Sequence, residues 1–208
     1  MELYNNIHIL EIAKILKNIN ERIEGNLVCD IDPYNFIINN NILKIKNLQY
    51  LSKNKNKICE IGVNACHSLL IMLIENPNAK YLLFDLNNHK YTEPCINYIK
   101  SQFPNTKITI IYGNSIETVN NYIKENQYEL NTYDLCHIDG GHTEDIFLHD
   151  YNNINKLSKK HEPVIFDDYN MYDIKQFINK KINLNDIEKY NNININETNL
   201  HFIYTYKN

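Results

Sequence analysis

Three carboxylates and one histidine carry most of the chemistry this sequence can offer. Asp139 closes the apolar run Asp134 to Ile138, Asp167 and Asp168 close the run Pro163 to Phe166, and His142 follows Asp139 by three residues. Hard cations such as Mg²⁺ and Mn²⁺ take carboxylate oxygens, and three such charges gathered without a cation repel one another. One reading is therefore a divalent metal held by Asp139, Asp167 and Asp168. The other makes Asp139 a turn former and Asp168 the cap of the next helix. His142 stands close enough to serve as a general base, or it caps a helix. His137, inside the fourth strand, reads as a core histidine. No Cys/His cluster supports structural zinc.

The second chemical stretch is Lys57 to Ser68, KICEIGVNACHS. Ile58, Cys59 and Ile61 give a short buried strand, Gly62 permits a sharp turn, and Ser68 opens the apolar helix LLIML. A helix that begins at the end of a buried strand points free N–H groups at whatever is bound there. His67 lies in its first turn, near any bound carboxylate or phosphate.

The elements that must position these residues alternate from Lys57 onward, as in a parallel sheet with helices on both faces. Tyr81 to Phe84 ends in Asp85, and a helix follows from Thr92 to about Phe103. Ile108 to Tyr112 leads to Gly113, Asn114 and Ser115, with Ser115 the expected cap of a helix to about Glu125. Further helices are expected at Glu144 to Leu157 and about Met171 to Lys181, and a last strand at Leu200 to Tyr206 after an Asn-rich loop from 183 to 199. All the strand ends fall on one edge, so Gly62, Asp85, Asn114, Asp139, Asp167 and Asp168 converge on one cleft. Taken singly, Asp85 and Asn114 serve equally as turn formers.

The first 23 residues repeat apolar positions at Ile9, Ile12, Leu16, Ile19 and Ile23, the spacing of an amphipathic helix. An irregular connection from Gly25 to Asn41, with Asp30, Asp32, Pro33 and Tyr34, leads to a second helix at Ile42 to Leu51. Residues 1–56 read as a lid or substrate-side segment, or as a structural cap, on a core of residues 57–208. The apolar first helix suits dimerisation as well as closure of a pocket. The asparagine runs, such as Asn39 to Asn41 and Asn191 to Asn196, read mostly as loop filler.

The 208 residues carry a net charge of -4 with no basic stripe, which argues against a duplex nucleic-acid partner and favours a small molecule or a glycan. Five cysteines without a CxxC pair read as reduced and buried, which suggests the cytoplasm. No apolar run approaches a membrane span, and the N-terminus has no basic leader before an apolar core.

With these residues in view, the chain resembles the class I S-adenosylmethionine-dependent methyltransferases over roughly Lys57 to Asn170. EIGVNACHS is similar to their first motif, with Glu60 and Gly62 in place, and Asp85 stands where the family binds the ribose. HIDGGHT followed by FDDYN, with Asp139 and Asp167 28 residues apart, is similar to a metal-dependent O-methyltransferase branch. That branch includes enzymes acting on sugars of macrolides and aminocoumarins, and sugar-modifying enzymes of large DNA viruses. Cys66 departs from the usual final glycine of the first motif, and Asn114 stands where relatives often carry Asp.

The resemblance implies a Rossmann-like, doubly wound α/β fold with a mostly parallel seven-stranded sheet in a single domain. It implies S-adenosylmethionine bound by Glu60, Gly62, Asn64, His67, Ser68, Asp85, Asn114, Ser115 and Asp139. It also implies a divalent cation on Asp139, Asp167 and Asp168, with Asp139 and His142 catalytic in methylating a sugar hydroxyl. A catechol-type acceptor suits the same scheme, and a non-catalytic module that keeps the fold is the rival. A nicotinamide enzyme fits less well, because the stretch lacks the second and third glycines of GxGxxG.

Overall fold

The computed structural model describes residues 6–24, 27–28 and 41–207. The connection expected at Gly25 to Asn41, with Asp30, Asp32, Pro33 and Tyr34, lies almost wholly outside them.

Among the described residues two helices precede the sheet. Helix α1 (Ile7–Ile19) starts on Asn6, whose side chain accepts from the His8 N–H, and ends on Asn20 in the left-handed conformation. Ile9, Ile12, Ala13 and Leu16 form its buried stripe, so the helix is shorter at both ends than the pattern suggested. Helix α2 (Ile42–Ser52) buries Ile45, Leu48 and Leu51 together with Asn47. That asparagine donates to the Asn196 carbonyl (2.8 Å), accepts from the Asn196 N–H (2.8 Å) and shares a hydrogen with His201 Nε2 (2.8 Å). The asparagines near 196 are thus not all filler, because this one ties the two ends of the chain together.

From Lys57 the chain winds as βαβ units: β1 (Lys57–Ile61), α3 (His67–Glu75), β2 (Lys80–Asp85), α4 (Thr92–Gln102), β3 (Ile108–Tyr112), α5 (Ser115–Glu125), β4 (Leu135–Ile138), α6 (Glu144–Leu157), β5 (Val164–Phe166) and α7 (Tyr172–Asn183). Two strands close it, β6 (Ile187–Lys189) and β7 (Phe202–Tyr206). The sheet order is β3-β2-β1-β4-β5-β7-β6. Strands β1 to β5 are parallel, and β7 runs antiparallel to both β5 and β6. This is the expected doubly wound, mostly parallel, seven-stranded α/β sheet. Strand β6 lies inside the segment read as an Asn-rich loop; three residues with one buried position carry too little alternation to be seen.

Side-chain alternation sorts the two faces. Ile58, Tyr81, Leu83, Leu135 and Ile165 pack beneath α1, α2, α3 and α4. Cys59, Ile61, Leu82, Phe84, Cys136, Ile138, Val164 and Phe166 pack beneath α5, α6 and α7. Each large side chain so buried is worth about 1.5–3 kcal/mol of transfer free energy. Cys59, Cys66 and Cys136 are free thiols, and they and Cys95 are buried. Among the described residues no helix is long and apolar enough to cross a membrane.

Candidate functional site

The strand order reverses between β1 and β4, and there the parallel ladder extends past the strand ends. Gly62 N–H donates to the Phe84 carbonyl (2.8 Å), Asp139 N–H to Ile61 (2.8 Å), Asp167 N–H to Ile138 (2.9 Å) and Gly113 N–H to Asp85 (2.9 Å). The polar residues that follow the strands therefore share one edge. They surround a cavity of about 500 Å³, a volume usual for a small-molecule site. Gly62, Asn64, Asp85, Asn114, Ser115, Asp139, His142, Asp167 and Asp168 all line it. Three residues singled out from the sequence do not: Glu60 is fully buried, and His67 and Ser68 line a side pocket of about 20 Å³ with Lys44, Asn64 and Asp139.

The β1 side is shaped by backbone. Gly62 has φ +86°, and a Cβ there would lie 1.9 Å from the Asp139 carbonyl oxygen, so no side chain fits. Asn64 (φ 49°) and Cys66 (φ 65°) also sit in the left-handed region, which explains why a glycine suits position 66. The Cys66 side chain turns into the core beneath α3 and α4 and leaves the cavity clear. Asp85 organises this turn: Oδ2 accepts from the Val63 and Asn64 N–H groups (2.8 Å each) and Oδ1 from Asn87 N–H (2.7 Å). A carboxylate has about four lone-pair sites, so one remains for a ligand. Across the cleft Asn114, not Ser115, caps α5, accepting from the Ile116 N–H at 3.0 Å. Helix α3 opens at His67 rather than Ser68, and burial pushes the His67 pKa down to about 4, so the ring is neutral.

The β4 side is built from charge. Glu60 and His137 are register partners on β1 and β4 and point to the same face. Glu60 Oε1 bonds His137 Nδ1 at 2.9 Å and also accepts from Ser68 Oγ. His137 Nε2 lies 3.4 Å from Asp167 Oδ2. Burial opposes a charged ring, but the adjacent carboxylates of Asp167 and Glu60 outweigh it and raise the His137 pKa to about 10. Position 137, read from the sequence as inert core, is thus the centre of an ionic chain.

That chain ends on a residue the sequence reading passed over. Lys44 of α2 pairs its ammonium with Asp167 Oδ2. Burial works against the charge, but Asp167, then Asp139, hold the Lys44 pKa up. Burial would raise the Asp167 carboxyl, yet Lys44 and His137 keep it well below the usual range. Burial, followed by the charge of Asp167, pushes Asp139 well above it. Asp168 faces outward to His142, with Nε2 and Oδ2 2.7 Å apart. That hydrogen bond is the main reason the His142 pKa is raised.

The expected divalent cation can be tested on this donor set. Among the described residues, His137, Asp139 and Asp167 bring potential donor atoms within 4.8 Å of one another, and Asp168 is not of that group. The oxygens are of the right kind, but those of Asp167 are engaged. Asp167 Oδ2 carries the Lys44 ammonium, and Asp167 Oδ1 accepts from the Asp168 N–H at 2.8 Å. As the side chains stand, a divalent cation does not fit.

The profile of a family described as a methyltransferase domain matches residues 59–169. No curated protein sequence matches the chain. Among solved structures, an O-methyltransferase from Bacillus cereus in complex with SAH superposes with a TM-score of 0.72 at 13% identity, over 100% of this chain and 94% of that one. The O-methyltransferase TomG from Streptomyces achromogenes, involved in tomaymycin synthesis and solved with SAM, gives 0.64 at 11% identity, over 96% and 88%. At such identities the likeness speaks for the fold.

Proposed function

The chain belongs to the methyltransferase-domain family, and from that membership we propose that it transfers a methyl group from S-adenosylmethionine to an oxygen of a small-molecule acceptor, a sugar hydroxyl in the first instance. The observation that carries this reading is the convergence of Gly62, Asp85 and Asn114 with Asp139 and His142 on one cavity at the reversal of strand order. The structural neighbours solved with SAM and SAH share the fold that produces it.

S-adenosylmethionine supplies a sulfonium methyl: an oxygen–carbon bond forms as the carbon–sulfur bond breaks, and the electron pair stays on sulfur. The β1 turn, held open by Gly62, gives close backbone approach, and Asp85 keeps a lone-pair site for the ribose. Asn114 and Ser115 border the adenine end. His142, with Nε2 turned to Asp168, presents Nδ1 to take the acceptor's hydroxyl proton. Orienting the imidazole in this way, and holding the acceptor in line, are the chain's own contributions. The divalent cation expected from the sequence is left out of this reading, because Lys44 stands at its carboxylates.

Incubation with methyl-labelled S-adenosylmethionine and a panel of nucleotide sugars, deoxysugars and catechols tests it. Label in a sugar product that disappears in Asp85→Asn is the expected result. Label only in catechols would move the acceptor class, and none in any acceptor would favour a non-catalytic module.

A further inference from the structure

We propose that Lys44 takes the place of a divalent cation in this cleft, so that the acidic cluster operates on an internal ammonium and binds no metal while Lys44 is in position. The Lys44 and Asp167 side chains are only 14% and 1% exposed, which makes theirs the most buried lysine–carboxylate pair among the described residues. A buried carboxylate needs a partner cation, and here the fold provides one.

The placement of Lys44 is built in rather than incidental. It lies one helical turn before Asn47, whose side chain is locked to Asn196 and His201. The weakly patterned ends of the chain therefore clamp α2, and the clamp aims Lys44 at Asp167. The neighbouring carboxylates have partners too: His137 lies between Asp167 and Glu60, and His142 faces Asp168. A doubly charged ion at ligand distance from Asp167 would stand against the ammonium, and like charges that close in a half-dry site repel strongly.

The consequence for catalysis rests on the methyl-transfer reading; the exclusion of metal does not. An ammonium offers one charge and three donors. It can hydrogen-bond the acceptor oxygen as negative charge develops there, but it acidifies a hydroxyl less than a divalent ion does, which leaves His142 the larger share of proton removal.

The test is Mn²⁺ titration followed by electron paramagnetic resonance, on the wild-type chain and on Lys44→Met, with S-adenosylhomocysteine binding measured on the same samples. The wild type is expected to leave the signal of free Mn²⁺ undiminished. Lys44→Met is expected to take up one Mn²⁺ per chain at least about 100-fold more tightly, once the adjacent like charge is gone. One Mn²⁺ bound per wild-type chain would overturn the proposal, and so would failure of both proteins to bind. Lys44→Gln repeats the comparison if the methionine variant does not fold. Loss of S-adenosylhomocysteine binding by the wild type would sink the methyl-transfer reading and leave the metal result standing.

Discussion

The two rims of the cleft solve the same problem by different means. Around Gly62, Asp85 and Asn114 the shape comes from backbone: left-handed turn residues, a glycine pressed against the Asp139 carbonyl, and one carboxylate that gathers three N–H groups. Around Asp139, Asp167 and His142 it comes from polar side chains in a chain of contacts, from Glu60 through His137 and Asp167 to Lys44. The first rim gives a fixed cradle with little charge, suited to a nucleoside. The second gathers charge beside His142. Under the methyl-transfer proposal, cofactor binding falls to the first rim and proton removal to the second.

If that division is right, the largest effect belongs to the charged rim. His142→Ala should slow methyl transfer by about 10²–10⁴-fold, the usual contribution of general-base proton transfer, with S-adenosylhomocysteine affinity unchanged. Equal losses of rate and affinity, read from initial rates and calorimetry, would mean that the rims are not separate. On the backbone rim the damage should instead be structural. Gly62→Ala forces a Cβ onto the Asp139 carbonyl oxygen, at a cost of about 3 kcal/mol and a melting temperature lower by roughly 6–12 °C. A variant that melts like the wild type would show that the turn yields easily.

The smallest effect concerns pH. His67 behind the backbone rim is held at about 4 by burial, below its unfolded value. The unfolded chain therefore takes up that proton first. Stability is complete above about pH 6.5 and is lost as the pH falls toward 4, by about 1 kcal/mol for this histidine between pH 7 and 5.5. Denaturant melts of the wild type and His67→Gln across that interval should diverge by this amount, and parallel curves would refute it.

The same division decides what the sequence could reveal. The backbone rim is local: Gly62, the turn to His67 and the Asp85 that ends the next strand follow one another in a single βαβ unit, so residue type and order are enough. The charged rim is legible only in part. Asp139, Asp167 and His142 stand out as polar residues after apolar runs, but Glu60 and His137 gain meaning only when strand register sets them side by side. A polar residue at the same depth of two central strands was the available signal. Lys44 gave none, because its partner is 123 residues away and α2 is aimed by the long-range contact between Asn47 and Asn196. Strand β6 was missed for a simpler reason, since it exists only as the edge partner of β7.

The measurement closest to the central claim is calorimetric titration of S-adenosylhomocysteine into the purified wild-type chain in the presence of a chelator. The structure predicts one molecule bound per chain with no metal added. Absence of binding under these conditions, restored by Mg²⁺ or Mn²⁺ or not, would contradict a cradle built from backbone and an acidic rim already balanced by Lys44.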